Sequence, residues 1–272
     1  MSNEQRGESL GKAKIGLALG SGGGRGLAHI GVLNALKEMA VPIHCIAGSS
    51  VGSMIAAFYA NNMDLHMVAR FLATLKKKHW LDLSVPGLGM ISGEKFKEIA
   101  KLLTHNKNIE DLCIPIAIVA TDLEKGERVV FQTGPIYRAV RASCSIPGIF
   151  APECYEGRLL VDGGVIDRVP INAAKDLGAD FIIAVDVGPD KNATKIDNMF
   201  DVIAQTIDIM EKEILSIRLL DADVILRPQV GHIGIIDFDH VEECIQAGYE
   251  EAYKHQEQIM QFVQMEIEGE NL

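Results

Sequence analysis

The hydrophobic positions of the chain follow two rhythms. Short, nearly continuous apolar runs stand at about 15–19, 43–47, 115–120, 158–161, 180–187 and 223–227, with helix-like spacing between them. Runs such as 114–120 and 181–185 lack the alternation of a half-exposed strand, so they predict strands covered on both faces. Past residue 26, Leu27, Ile30, Leu33 and Leu36 fall on one side of a helix. Long helices are expected at 196–221 and 240–268, separated by a strand near Val224 and a loop near Pro228. The segment Glu124-Lys125-Gly126-Glu127 predicts a hairpin that adds an antiparallel strand at 129–132. Strands alternating with helices give an α/β fold, a three-layer α/β/α sandwich with a mostly parallel central sheet.

Three glycine-bearing junctions interrupt this rhythm. Gly48-Ser49-Ser50-Val51-Gly52 has the form G-x-S-x-G, with an apolar run before it and a small-residue helical run after it. A serine on so sharp a strand-to-helix turn is pushed out of the fold at a helix N-terminus, where dipole and amides favour an oxyanion. Gly48 and Gly52 remove side chains that would collide there. The earlier junction, Gly20-Ser21-Gly22-Gly23-Gly24-Arg25-Gly26, also links a strand to a helix. Its backbone can turn N–H groups inward around a phosphate or the oxyanion of an acyl transfer. The third junction places Asp162 at the end of a short strand, followed by Gly163 and Gly164. Alone it reads as a turn residue; beside an exposed serine and an anion loop it is a candidate general base.

The phosphate readings fit poorly. A Walker loop ends in Gly-Lys-Ser/Thr, whereas Arg25-Gly26-Leu27 stands here, and Gly20, Gly22 and Gly26 are spaced one residue too wide for G-x-G-x-x-G. The next strand runs into Ala-Gly-Ser-Ser with no carboxylate for a ribose. A nucleotide-binding α/β protein is the weaker alternative.

Together these junctions resemble the patatin-like phospholipases, serine lipid hydrolases that use a Ser–Asp dyad. Ser143-Cys144-Ser145-Ile146-Pro147-Gly148-Ile149-Phe150 is similar to the family's helix-end segment between nucleophile and base. Ser21 stands where many members have glycine, and Ser49 where threonine is common. The resemblance covers roughly 15–187 and implies a catalytic core at about 15–175, with C-terminal helices and a strand over 176–272. It implies Ser50 as nucleophile, Asp162 as base, and the backbone of Gly22, Gly23, Gly24 and Arg25 as oxyanion hole, Arg25 bracing the loop. It implies a lipid or other acyl-ester substrate and neither metal nor organic cofactor. A patatin-fold scaffold with a regulatory partner is the other alternative. Of the histidines past Asp162, His232 is the one loop residue that could serve as base in a triad, and His29 reads as a packed helix residue.

Composition changes this picture little. The 272 residues, 48% hydrophobic and 23% charged, suit an ordinary soluble protein, and no repeat or long linker divides them, so one domain over 1–272 is expected. The polar N-terminus lacks a signal peptide's apolar core, and no run is long enough to cross a membrane. Five scattered cysteines, with no paired Cys or Cys/His spacing, suggest neither disulfide nor metal and favour a reducing cytoplasm. Cys45, in a strand, and Cys144, in a helix, read as small buried hydrophobes. A net charge of −11 argues against nucleic acid and leaves at most transient membrane contact. Lys76-Lys77-Lys78-His79-Trp80 reads as a basic helix end or a small lipid-facing patch, and Val85–Ile91 as a turn or an apolar rim over the site.

Overall fold

The computed structural model describes residues 13–74, 82, 88–189, 199–235 and 237–269. Strand β1 (Ile15–Leu19) leads through the glycine loop into α1 (Ala28–Glu38), and β2 (Cys45–Ser49) turns sharply into α2 (Val51–Ala60). Then come α3 (Leu65–Thr74), β3 (Gly89–Ile91), α4 (Glu94–Leu103), β4 (Ile116–Asp122), β5 (Glu127–Phe131) and α5 (Ile136–Ser143). Three short strands follow, β6 (Gly148–Phe150), β7 (Glu153–Tyr155) and β8 (Arg158–Asp162), before α6 (Ile171–Asp176) and β9 (Phe181–Val185). The chain ends with α7 (Met199–Arg218), β10 (Val224–Leu226), α8 (Val241–Lys254) and α9 (Gln256–Gly269).

Eight of these strands form one sheet in the order β10-β9-β1-β2-β4-β8-β7, with β5 beside β4. The pairs from β10 through β4 are parallel, while β5, β8 and β7 add antiparallel pairs. Buried side chains divide by the pleat. Ile15, Leu17, Leu19, Ile46, Ile116 and Ile118 join a large cluster with α1, α2, α3 and α8. Ala18, Ala47, Ala117 and Ala184 face the opposite way, towards α6 and Leu215 of α7. The chain thus has the three layers and mostly parallel sheet that its apolar rhythm predicts.

Boundaries shift where the rhythm is ambiguous. The 43–47 run becomes Cys45–Ser49, because Gly48 and Ser49 still pair with β1 and β4. The helix expected over 240–268 is two helices: at His255 the backbone N–H bonds to Ala252 three residues back, and the ring Nδ1 caps the Glu251 carbonyl. Strands β3, β6 and β7 are too short to leave a periodic signal. The Lys76–Trp80 patch and residues 85–87 of the suggested rim lie outside the described residues. Of the rest, Leu88 is exposed, while Ile91 is buried against Ile149 and Phe150, the last its partner in the parallel β3–β6 pair.

Helix α8 lies directly on α1, at a crossing made by two glycines. A Cβ on Gly31 would run into the Ile245 carbonyl oxygen, and one on Gly248 into that of Ala28. Either Gly31→Ala or Gly248→Ala should therefore destabilise the protein by about 1–3 kcal/mol through overpacking. Thermal unfolding should record a fall of about 2–4 °C for each kcal/mol; unchanged melting would show that the helices separate without cost.

Candidate active site

Register brings the candidate serine and aspartate together. Along one edge of β4, Ser49 of β2 stands opposite Val119, and Asp162 of β8 stands opposite the next residue, Ala120. Since β5 spans Ile118 to Asp122 on the other edge, β2 and β8 must share this one and meet end to end. Just past that meeting point Ser50 adopts φ 53°, ψ −127°, a strained conformation for a residue with a side chain. A Cβ on Gly48 would crowd Ser53, and one on Gly52 would strike the Leu19 carbonyl, so both elbow glycines are sterically required. Ser50 Oγ donates to Asp162 Oδ2 at 2.6 Å, with both residues 5% exposed.

The end of α5 locks this junction. The Ser143 hydroxyl accepts the Ser50 N–H at 2.8 Å and donates to the Val119 carbonyl at 2.6 Å. The Ser145 carbonyl accepts the Asp162 N–H at 2.9 Å. Arg141, almost wholly buried, donates to the Ser145 hydroxyl and to the carbonyls of Ser92, Gly93 and Ala151. The other Asp162 oxygen, Oδ1, accepts the Gly164 N–H at 2.8 Å, which fixes the carboxylate plane. Sequence reading marked 143–150 as one segment and did not single out Ser143, Ser145 or Arg141 as the groups that hold the pair.

Behind Asp162 lies a buried ion cluster. Arg25 Nη2 bonds both oxygens of Asp208, at 3.0 and 2.9 Å, and Arg168 Nη1 reaches Asp208 at 3.0 Å and also Glu211. Asp208 and Glu211 project inward from α7, one turn apart. Burial pushes Asp162 up to about 7 from 3.8, helped by the charge on Glu211 and opposed by the Ser50 hydroxyl, the Gly164 N–H and Arg168. Arg168, Asp208 and Glu211 escaped sequence reading. An acidic pair spaced by three on an amphipathic helix ordinarily belongs to the solvated face.

The loop residues separate into two groups. Gly22 and Gly23 line the space beside Ser50. Gly24 gives its N–H to the Ile235 carbonyl at 2.7 Å, so in this conformation its amide is committed to the 231–239 loop rather than to an oxyanion. Arg25 turns its side chain back, Nε to the Gly22 carbonyl at 3.1 Å, and braces the loop. His29 is fully buried, with Nε2 2.8 Å from the Gly20 carbonyl, and burial lowers it to about 4, so its ring is neutral. His232 is exposed and bonds Glu243 rather than the serine.

Ser50 stands where two cavities meet. One, of about 100 Å³, is apolar and runs between α2, α3 and α4 past Phe58, Leu72, Phe96 and Ala100. The other, of about 30 Å³, is lined by Ser21, Gly22, Asp162, Asp208 and Glu211. Ile146 and Ile235 wall both. Cys144 lies one residue past α5, not inside a helix, and faces the apolar cavity; burial raises its thiol pKa and keeps it protonated. Among the described residues, no group of three or more His, Cys, Asp or Glu is arranged to hold a metal ion, and no helix is long and apolar enough to cross a membrane.

The family described as patatin-like phospholipase matches residues 17–175. Lysophospholipase NTE1 of Coccidioides immitis is 31% identical over 267 residues, covering 86% of this chain and 17% of that protein. An uncharacterised NTE family protein of Mycobacterium tuberculosis is 40% identical over 188 residues, covering 66% of this chain and 52% of that one. The chain thus spans about half, or less, of the length of these curated relatives. Among solved structures, VipD from Legionella pneumophila superposes with a TM-score of 0.66 at 14% identity, covering 90% of this chain and 67% of that one. The type III effector protein ExoU does so with a TM-score of 0.52 at 14% identity, covering 93% and 54%. These last two likenesses are of fold.

The raised Asp162 has a consequence for stability. Between 3.8 and about 7 the folded chain holds a proton that the unfolded chain has released, so stability falls as pH rises through that window. Asp162→Asn removes the buried charge. At about pH 8 it should melt above wild type, by about 2–4 °C for each kcal/mol relieved, and the gain should vanish below about pH 4. A variant that gains nothing at high pH would mean that the carboxylate is ionised in the fold without cost.

Proposed function

The chain belongs to the patatin-like phospholipase family, and from that premise we propose that it hydrolyses carboxylic esters of lipids through Ser50 and Asp162. The observation that carries the reading is the 2.6 Å hydrogen bond to a buried aspartate from a strained elbow serine that lines an apolar cavity. An ionised Asp162 takes the proton from Ser50 Oγ as that oxygen forms a bond to the ester carbonyl carbon. The carbonyl oxygen gains the negative charge and lies against the amides of Gly22 and Gly23 and the N-terminus of α2, donors worth about 3 kcal/mol each. As the C–O bond of the ester breaks, Asp162 returns the proton to the departing alcohol. Water then repeats the sequence: Asp162 accepts its proton, its oxygen attacks the acyl-serine, and Ser50 leaves reprotonated.

The two cavities suit the two halves of such a substrate. The acyl chain fits the apolar side between α2, α3 and α4, and the alcohol fits the polar side lined by Asp208 and Glu211. Arg25 serves the reaction indirectly, by fixing the loop that presents Gly22 and Gly23. The lysophospholipase name carried by the Coccidioides immitis relative agrees with a lipid ester of this kind.

Three outcomes are expected. A fluorophosphonate should label the peptide that contains Ser50, and labelling should vanish in Ser50→Ala while circular dichroism stays unchanged; stoichiometric labelling elsewhere would refute the assignment. Asp162→Asn should lower ester hydrolysis by about 10²–10⁴-fold, and wild-type kcat/KM should rise with pH through about 7, as Asp162 ionises. Equal loss in His232→Ala would point instead to a histidine base. Ala100→Leu, which narrows the apolar cavity, should raise KM for long-chain esters and spare short ones; a uniform loss would place the acyl chain elsewhere.

A further inference from the structure

What stands behind Asp162 extends the reading above, and the inference rests on that reading. A Cβ built on Gly164 would lie 2.6 Å from Glu211 Oε1, 3.1 Å from Asp162 Oδ1 and 2.5 Å from Ser21 Oγ. The absence of a side chain at 164 therefore lets three polar groups converge on one point from the glycine loop, the end of β8 and α7. Ser21 Oγ donates to Glu211 Oε2 at 3.4 Å, and Arg168 Nη1 donates to the same oxygen. Burial raises the proton affinity of Glu211, and both donors oppose that shift in favour of the carboxylate, while its other oxygen is the one beside Gly164. Glu211, Asp162 and Ser50 line one small cavity. Ser21 lines the same small cavity, and the catalytic steps above give it no task.

We propose that Glu211 is a positioning residue: steadied by Ser21 and Arg168, its carboxylate acts through Asp162 and makes Asp162 a stronger acceptor for the Ser50 proton. A second negative charge at this range favours the protonated form of its neighbour, and a carboxylate of ordinary affinity is a weak base for an alcohol. Several groups face Asp162. The elbow contributes the Ser50 hydroxyl, the turn after β8 the Gly164 N–H, the end of α5 the Cys144 thiol, and the segment before α6 Arg168. From α7 come Glu211 and, behind it, Asp208 with Arg25. Arg168 opposes Glu211, but its charge is shared among Asp208, Glu211 and Asp186. After burial, Glu211 makes the largest contribution to the raised proton affinity of Asp162.

The test is the pH–rate profile of p-nitrophenyl butyrate hydrolysis by the full chain and its Glu211→Gln, Glu211→Asp and Ser21→Ala variants. Glu211→Gln keeps the shape and removes the charge. Its acid limb in kcat/KM should move down by about 1 pH unit, and its alkaline plateau should fall several-fold as the base weakens. Glu211→Asp should return the limb towards wild type. Ser21→Ala should shift it the same way as Glu211→Gln, by less, and carries the test alone if Glu211→Gln does not fold. A limb unmoved in Ser21→Ala and in any folded Glu211→Gln would overturn the proposal, as would a loss equal at every pH, the mark of a purely structural role. Failure of the underlying hydrolase reading is distinguishable, because wild type itself would then leave Ser50 unlabelled by a fluorophosphonate.

Discussion

One edge of β4 governs everything at the site. A parallel strand, β2, and an antiparallel strand, β8, pair with consecutive stretches of that edge and arrive head to head at Val119 and Ala120. Two strands meeting this way must both stop, one by turning into α2 and the other by turning into the Gly163-Gly164 bend. Ser50 and Asp162 are the residues at those two stops. A slip of one residue in either strand would carry its last side chain to the other face of the sheet, so the register of a buried sheet, with isoleucines on one face and alanines on the other, also holds the 2.6 Å contact. Ser143 clamps the joint from above, with one hydroxyl joined to the elbow and to β4.

The electrostatics follow from the same burial. Asp162 sits among two arginines and two further carboxylates, all almost wholly removed from water. Buried ion pairs are weak stabilisers in general, because desolvation offsets the attraction. Here their arrangement does something an apolar core would not. On the proposal above, Glu211 adds a negative charge beside the aspartate and Arg168 opposes it, on top of the burial that raises Asp162 most. The strained backbone of Ser50 and the raised Asp162 both cost stability, and the continuous cluster beneath them, from β1 and β2 to α1, α2 and α8, can bear that cost.

Much of this was legible in the residues, and the limit of legibility is physical. Gly48, Gly52, Ser50 and Asp162 announce themselves because a tight turn excludes side chains and a strand end presents one. The layers and the parallel sheet were legible because strands covered on both faces must be apolar throughout. Pairing was less so: the short strands β3, β6 and β7 have no room for a period, and the break at His255 depends on one ring capping one carbonyl. The committed amide of Gly24 could not be foreseen from a run of glycines, since its partner, the Ile235 carbonyl, comes from a loop more than two hundred residues away. For the same reason Asp208 and Glu211 look like ordinary surface charges until the fold turns that face of α7 inward.

This distribution of information bears on how far a family match reaches. The matched segment, 17–175, contains the serine, the aspartate, the glycine loop, Ser143 and Arg168. It does not contain α7, which brings Asp208 and Glu211, or the 231–239 loop, whose Ile235 walls both cavities and holds Gly24. Ser50 and Asp162 and the two acids behind them thus belong to different parts of the chain, joined by the ion pairs of Arg25 and Arg168 with Asp208 and Glu211. Changes confined to α7 could retune the base while every residue of the family signature stayed in place. In the proposed mechanism, strength of catalysis and the room offered to the alcohol half of a substrate are therefore properties of the C-terminal third as much as of the elbow.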